Sequence, residues 1–171
     1  MVEQGLRGGV SMISQKYAKA NNPYLPDHDP NIPNSYIPYW DANNLYGWAM
    51  SQPLPRGQFE WEEGDIDIMN VSNDAPRGYI LEVDLEYPEE LHDLHSDYPL
   101  APEQKAIPYN ELSPYTLDLK EELDIKGKPN KKLIPNLYNK TKYVVHYVNL
   151  KQYISLGMKL TKIHRVISFA Q

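Results

Sequence analysis

The sequence predicts an α+β fold, and three observations carry that prediction. GYILEVDLEY (residues 78–87) alternates Tyr79, Leu81, Val83, Leu85 and Tyr87 with Ile80, Glu82, Asp84 and Glu86, the period of two of a strand with one apolar face and one largely acidic face. Ser113 followed by Pro114 fits an N-cap and first helical position, and Leu112, Tyr115, Leu119 and Leu123 continue at roughly helical spacing. Strands and helices then mix without a regular βαβ rhythm, which favours α+β over a parallel α/β sheet.

The remaining elements follow in order. Tyr36, Ile37, Tyr39 and Trp40 suggest a short strand ending at Asp41, with Pro38 favouring an edge or a late start. A short helix is expected from about Asn44 to Met50, stopped by Pro53. Near the C-terminal end KYVVHY reads as a strand, VNLKQYISLG as a two-turn helix closed by Gly157, and MKLTKIHRVISF as a strand with imperfect alternation. Fifteen prolines and nine glycines punctuate the chain, concentrated in residues 21–38, 51–57, 98–108 and 127–136, which read as loops and turns.

With 171 residues, 41% of them apolar, the chain suffices for one domain with a sizeable core. It contains no Cys, which excludes a disulfide framework and thiolate metal sites, and no apolar run approaches the roughly 18–20 residues of a membrane span. MVEQGLRGGVSM lacks the basic start and apolar core of a signal peptide, so an intracellular setting is expected, the nucleus being one such compartment.

The formal net charge of −6 taken whole argues against a polyanion partner. The average hides a segregation. Residues 1–60 carry 4 basic and 5 acidic groups, residues 61–125 carry 3 and 18, and residues 126–171 carry 10 and none. Such asymmetry suggests a polyanion-facing end joined to an acidic middle, the simpler alternative being solvated faces of like charge.

The stretch that carries chemistry is YWDANNLYGWAMSQPLP (residues 39–55). Asp41 supplies a hard oxygen ligand suited to Mg²⁺, and a helix starting just after it would offer unpaired N–H groups and a positive dipole end to phosphate. By spacing alone, an aspartate before a helix is more often a simple N-cap. Two other constellations are weaker. His92 and His95, with Asp93 and Asp97, have loose metal-ligand spacing but no third ligand set, and read as surface residues. Glu82, Asp84 and Glu86 share a strand face whose simplest account is solvation.

DANNLYGWAM resembles the first polymerase motif of family-B DNA polymerases, usually written DxxSLYP, and is most similar to the protein-primed branch. That branch includes the enzymes of Maverick or Polinton transposons, linear plasmids, adenoviruses and some phages. RGGVSMISQKYAKANNP, GYILEVDLEYPEELHDLHSDYPLAPE and TKYVVHYVNLKQYISLGMKLTKIHRVISF extend the resemblance over nearly the whole chain.

The resemblance implies a partial polymerase palm with an antiparallel sheet, short helices and an insertion. Residues 1–38 would be a lead-in and linker, 39–55 the first motif, 56–136 the acidic insertion-like region and 137–171 a basic β/α region. It implies that Asp41 and the carbonyl of Ala42 bind two catalytic Mg²⁺ ions, and that Asn44, Leu45 and Tyr46 cradle the incoming deoxynucleoside triphosphate. Tyr46 would also stack on the sugar and reject a 2′-hydroxyl.

Arg7, Gly8 and Gly9 resemble a Gly-Gly loop that touches template, with Leu6 where that pattern has tyrosine. Lys140, Lys142, Lys159, Lys162 and Arg165 are the candidates for phosphate contacts along a DNA template-primer. A terminal priming protein is the further implied partner. The expected activity is template-directed, protein-primed nucleotide addition in DNA replication. The family's Asp-Thr-Asp core is not present in this sequence, so the chain alone is expected to be inactive. A non-catalytic DNA- or protein-binding remnant of a transposon polymerase is the alternative.

Overall fold

A computed structural model describes residues 1–64, 66–127 and 129–171. The α+β expectation holds. A four-stranded antiparallel sheet has the order β1-β6-β2-β5, formed by β1 (Gly57–Glu62), β2 (Arg77–Glu86), β5 (Lys140–His146) and β6 (Lys159–Ala170). A separate two-stranded ribbon pairs β3 (Glu103–Lys105) with β4 (Lys132–Ile134). The helices are short: α1 (Val2–Gly5), α2 (Leu45–Met50), α3 (His92–His95), α4 (Pro114–Glu122) and α5 (Tyr147–Ser155).

The alternation read in β2 becomes the two faces of the sheet. Leu81, Val83, Leu85 and Tyr87 are buried with Tyr143, Val145 and Val166 from the neighbouring strands, under Tyr147 and Leu150 of α5. Tyr147 stands edge-on to Tyr79 at 6.1 Å, and its hydroxyl donates to the carbonyls of Ser72 and Asn73, so this buried phenol keeps its hydrogen bonds. A smaller cluster of Ile80, Val144 and Phe169 lies on the opposite face beside Met1.

Local chemistry explains the helix ends. Ser113 Oγ accepts from Thr116 N at 3.2 Å and Pro114 occupies the first turn of α4. Gly157 follows α5 with φ +103°, and its N–H and that of Met158 return to Ile154 and Tyr153 carbonyls at 3.0 Å, closing the helix in the left-handed manner.

Three expectations are corrected. Residues 36–40 form no strand: Ser35 makes one isolated bridge to Asn21, and Tyr39 and Trp40 beyond it are 97% and 86% exposed. Pro38 offers no N–H to a ladder and no neighbouring strand is presented to the segment. Instead, Asn21 closes the preceding proline-rich loop, its side chain donating to the carbonyls of Asp29 and Ile32 and accepting from Asp29 N.

The acidic face of β2 is not simply solvated. Glu82, Asp84 and Glu86 lie opposite Arg165, Lys162 and Lys159 of β6, and Glu82 is buried against Arg165. His95 is buried rather than on the surface, its Nδ1 2.8 Å from the Tyr87 hydroxyl, which itself accepts from Leu100 N.

Candidate functional site

The segment of residues 39–55 lies on the surface. Leu45–Met50 forms the expected short helix, and Asn44 precedes it in the left-handed conformation at φ 52°. The Asn44 side chain folds over the first turn, where a Cβ on Gly47 would fall 2.5 Å from Asn44 Nδ2. A glycine at position 47 leaves room for the Asn44 side chain in that position. Asp41 and Ala42 are exposed just before it, and among the described residues no side chain pairs with the Asp41 carboxylate.

Tyr46 is 84% exposed, and Tyr36, Ile37, Leu45, Trp48, Met50 and Leu54 share its exposure. The segment thus presents a broad aromatic and aliphatic surface with a single charge. Its far end is fixed to the sheet, since Arg56 N donates to Ala170 O at 2.8 Å and the Arg56 guanidinium to Gln171 O at 2.9 Å.

As a metal site the donor set is incomplete. Asp41 offers one carboxylate and Ala42 one carbonyl, and among the described residues no group of three or more His, Cys, Asp or Glu side chains converges. A two-metal centre needs more anionic oxygen than this, so no catalytic step is derived through Mg²⁺.

The basic candidates separate by environment. Arg7 is half-buried: its guanidinium lies 3.8 Å from the Tyr143 ring centroid and donates to Val144 O at 2.6 Å, holding the N-terminal segment on β5. Gly8 and Gly9 are exposed, and a Cβ on either would meet open space.

Lys140, counted above among the phosphate-contacting cations, is corrected by its burial. Its ammonium is enclosed and donates to Glu103 Oε2 and Asn136 O, each at 3.2 Å, and to Asn136 Oδ1. Burial pushes its pKa down, partly offset by Glu103. An ammonium so placed ties β5 to β3 and is not presented to a ligand.

Arg165 grips Glu82 with two hydrogen bonds at 2.9 and 2.8 Å, which hold the Glu82 carboxyl below the usual carboxylate range. Lys159 pairs with Glu86 at 3.1 Å. The Asp84 carboxyl is lowered too, chiefly by accepting Lys142 N at 2.7 Å, with His164 Nε2 2.8 Å away. Lys142 and Lys162 are exposed and have no carboxylate within ion-pair distance among the described residues. The charge blocks of opposite sign are therefore cross-strand partners, and part of the basic tail is neutralised inside the fold.

In comparisons with protein-family models, curated proteins and solved structures, nothing matches this chain. Among the described residues no helix is long and apolar enough to cross a membrane.

Proposed function

We propose that the chain is part of the palm of a family-B DNA polymerase of the protein-primed type, acting within a longer enzyme in template-directed addition of deoxynucleotides. The observation that carries the reading is DANNLYGWAM itself, an exposed aspartate followed by a tight turn and a short helix, with Asp41 committed to no internal partner. An acid kept free at the surface suits a metal ligand better than a structural cap, and Asn44 rather than Asp41 stands at the N-cap position of α2, without a side-chain capping hydrogen bond.

In this reading Asp41 and the Ala42 carbonyl supply part of a Mg²⁺ coordination sphere, and a second carboxylate comes from a segment outside residues 1–171. Asn44, Leu45 and Tyr46 form the nucleotide-facing turn, and the exposed aromatic surface around them meets the remainder of the polymerase or the terminal priming protein. In the whole enzyme, Asp41→Asn is expected to abolish primer extension while leaving DNA binding intact, and Tyr46→Ala to relax discrimination against ribonucleotides. Extension at near wild-type rates by the Asp41→Asn enzyme refutes the metal role.

The incomplete donor set favours a second reading, a polymerase-derived module that binds DNA or protein without catalysis. It is distinguished by an adjoining reading frame that encodes no further polymerase motif.

A further inference from the structure

The β3–β4 ribbon carries an arrangement that packing does not explain. Lys105 of β3 is directly opposite Lys132 of β4 in the antiparallel register, and Lys131 precedes it. Opposed residues in such a pair have Cα atoms about 4.5–5.5 Å apart, so both lysine stems leave the same face of the ribbon. Like charges directly opposite destabilise a ladder, and a two-stranded ribbon has little stability to spare. All three lysines are exposed, and none has a carboxylate within ion-pair distance among the described residues.

Beside the ribbon lies a concavity of about 560 Å³ whose wall includes Lys105, Ile107, Ile134, His92, Ser96 and Tyr138, with Glu111 its one carboxylate. That volume lies within the range of small-molecule sites. Tyr138 is 57% exposed, and the Lys105 ammonium sits 4.8 Å from its ring centroid. A paired cation, an accessible aromatic ring and an apolar floor together match a nucleotide unit, with phosphate on the lysines and base against the ring.

We propose that the β3–β4 ribbon and this concavity form a binding site for single-stranded nucleic acid, separate from the Asp41 segment, with Lys105 and Lys132 sharing a phosphate and Tyr138 stacking a base. The choice of nucleic acid over another polyanion rests on the polymerase reading, whereas the cation pair and the ring do not.

The test is fluorescence anisotropy of a labelled 12-nucleotide single-stranded DNA with the full 171-residue chain, from 50 to 200 mM salt. Replacing both lysines (Lys105→Gln with Lys132→Gln) is expected to weaken binding several-fold and to reduce the salt slope by about 0.7, the value for the one shared phosphate contact on a single strand. Tyr138→Ala is expected to weaken binding about tenfold through lost stacking.

Melting curves separate binding from folding, because removing the opposed charges should preserve or raise the melting temperature. Wild-type affinity and slope in the double-lysine variant, or no binding by the wild-type chain at 50 mM salt, overturns the proposal. So does competition by polyglutamate as effective as that by unlabelled DNA, which would make the ribbon an acidic-peptide site. Failure here leaves the Asp41 reading standing, since that reading is decided by primer extension in the whole enzyme.

Discussion

Replacing Lys140 separates a structural cation from a ligand-binding one. Its side chain is fully enclosed, and three hydrogen bonds bind the ammonium to Glu103 and Asn136. Lys140→Met keeps most of the stem and removes the charge. The loss of charge-assisted hydrogen bonds, each worth about 1.5–3 kcal/mol, is opposed by recovery of the ammonium's desolvation penalty. Glu103 retains 29% exposure and can turn to water, so it is not left as a fully buried unpaired charge.

The expected net loss is about 1–2 kcal/mol, or roughly 2–8 °C in Tm for a chain of this size. Lys140→Ala adds a cavity where the stem was and is expected to cost roughly 3–5 kcal/mol in all. The pH dependence has a definite sign. The folded pKa is depressed below 10.5, so between the two values the unfolded chain binds more protons and stability rises with pH. The wild-type advantage over Lys140→Met should therefore grow on approaching pH 10.5 from below. Thermal melts of the three proteins at several pH values, with DNA binding measured in parallel, supply the assay. An unchanged Tm in Lys140→Ala, or DNA affinity lost in a Lys140→Met chain that melts normally, would refute the enclosure argument.

Two further outcomes follow from the same contacts. Gly157→Ala must place a side chain at φ +103° with its Cβ 2.9 Å from Leu91 Cδ1, so chemical denaturation should show a loss of at least about 1 kcal/mol. The Glu82 carboxyl is lowered chiefly by its hydrogen bonds from Arg165, so its stabilisation is present above the ordinary pKa of 4.5 and lost as pH falls through the lower folded value. Arg165→Gln is therefore expected to flatten that part of the acid-unfolding curve, and an unchanged curve would show that the cross-strand pair does not set the acid response.

Wherever a signal is short-range, the sequence was a sufficient guide. The N-cap at Ser113, the left-handed stop at Gly157 and the two-residue period of β2 each depend on atoms within about one helical turn or on one strand's own pleat. The short helix after Asp41 was legible for the same reason, as a run of adjacent residues whose turn is local. Proline at position 38 already hinted that its neighbours would not hold a strand, but whether a partner strand lies alongside is not a local property.

Tertiary pairing decided the rest. Lys105 and Lys132 are 27 positions apart, and nothing in the spacing marks them as cross-strand neighbours. Glu82 meets Arg165 across 83 positions, so the segregation of charge along the chain became pairing in space. The same composition could have left the basic tail free. Sequence by itself determined which segments could be helix or strand and which residues could carry charge chemistry. Only register and burial decided that Lys140 is enclosed and Arg165 is paired with Glu82 while Asp41, Lys105 and Lys132 face solvent, because desolvation and hydrogen bonding act on neighbours in space rather than in sequence.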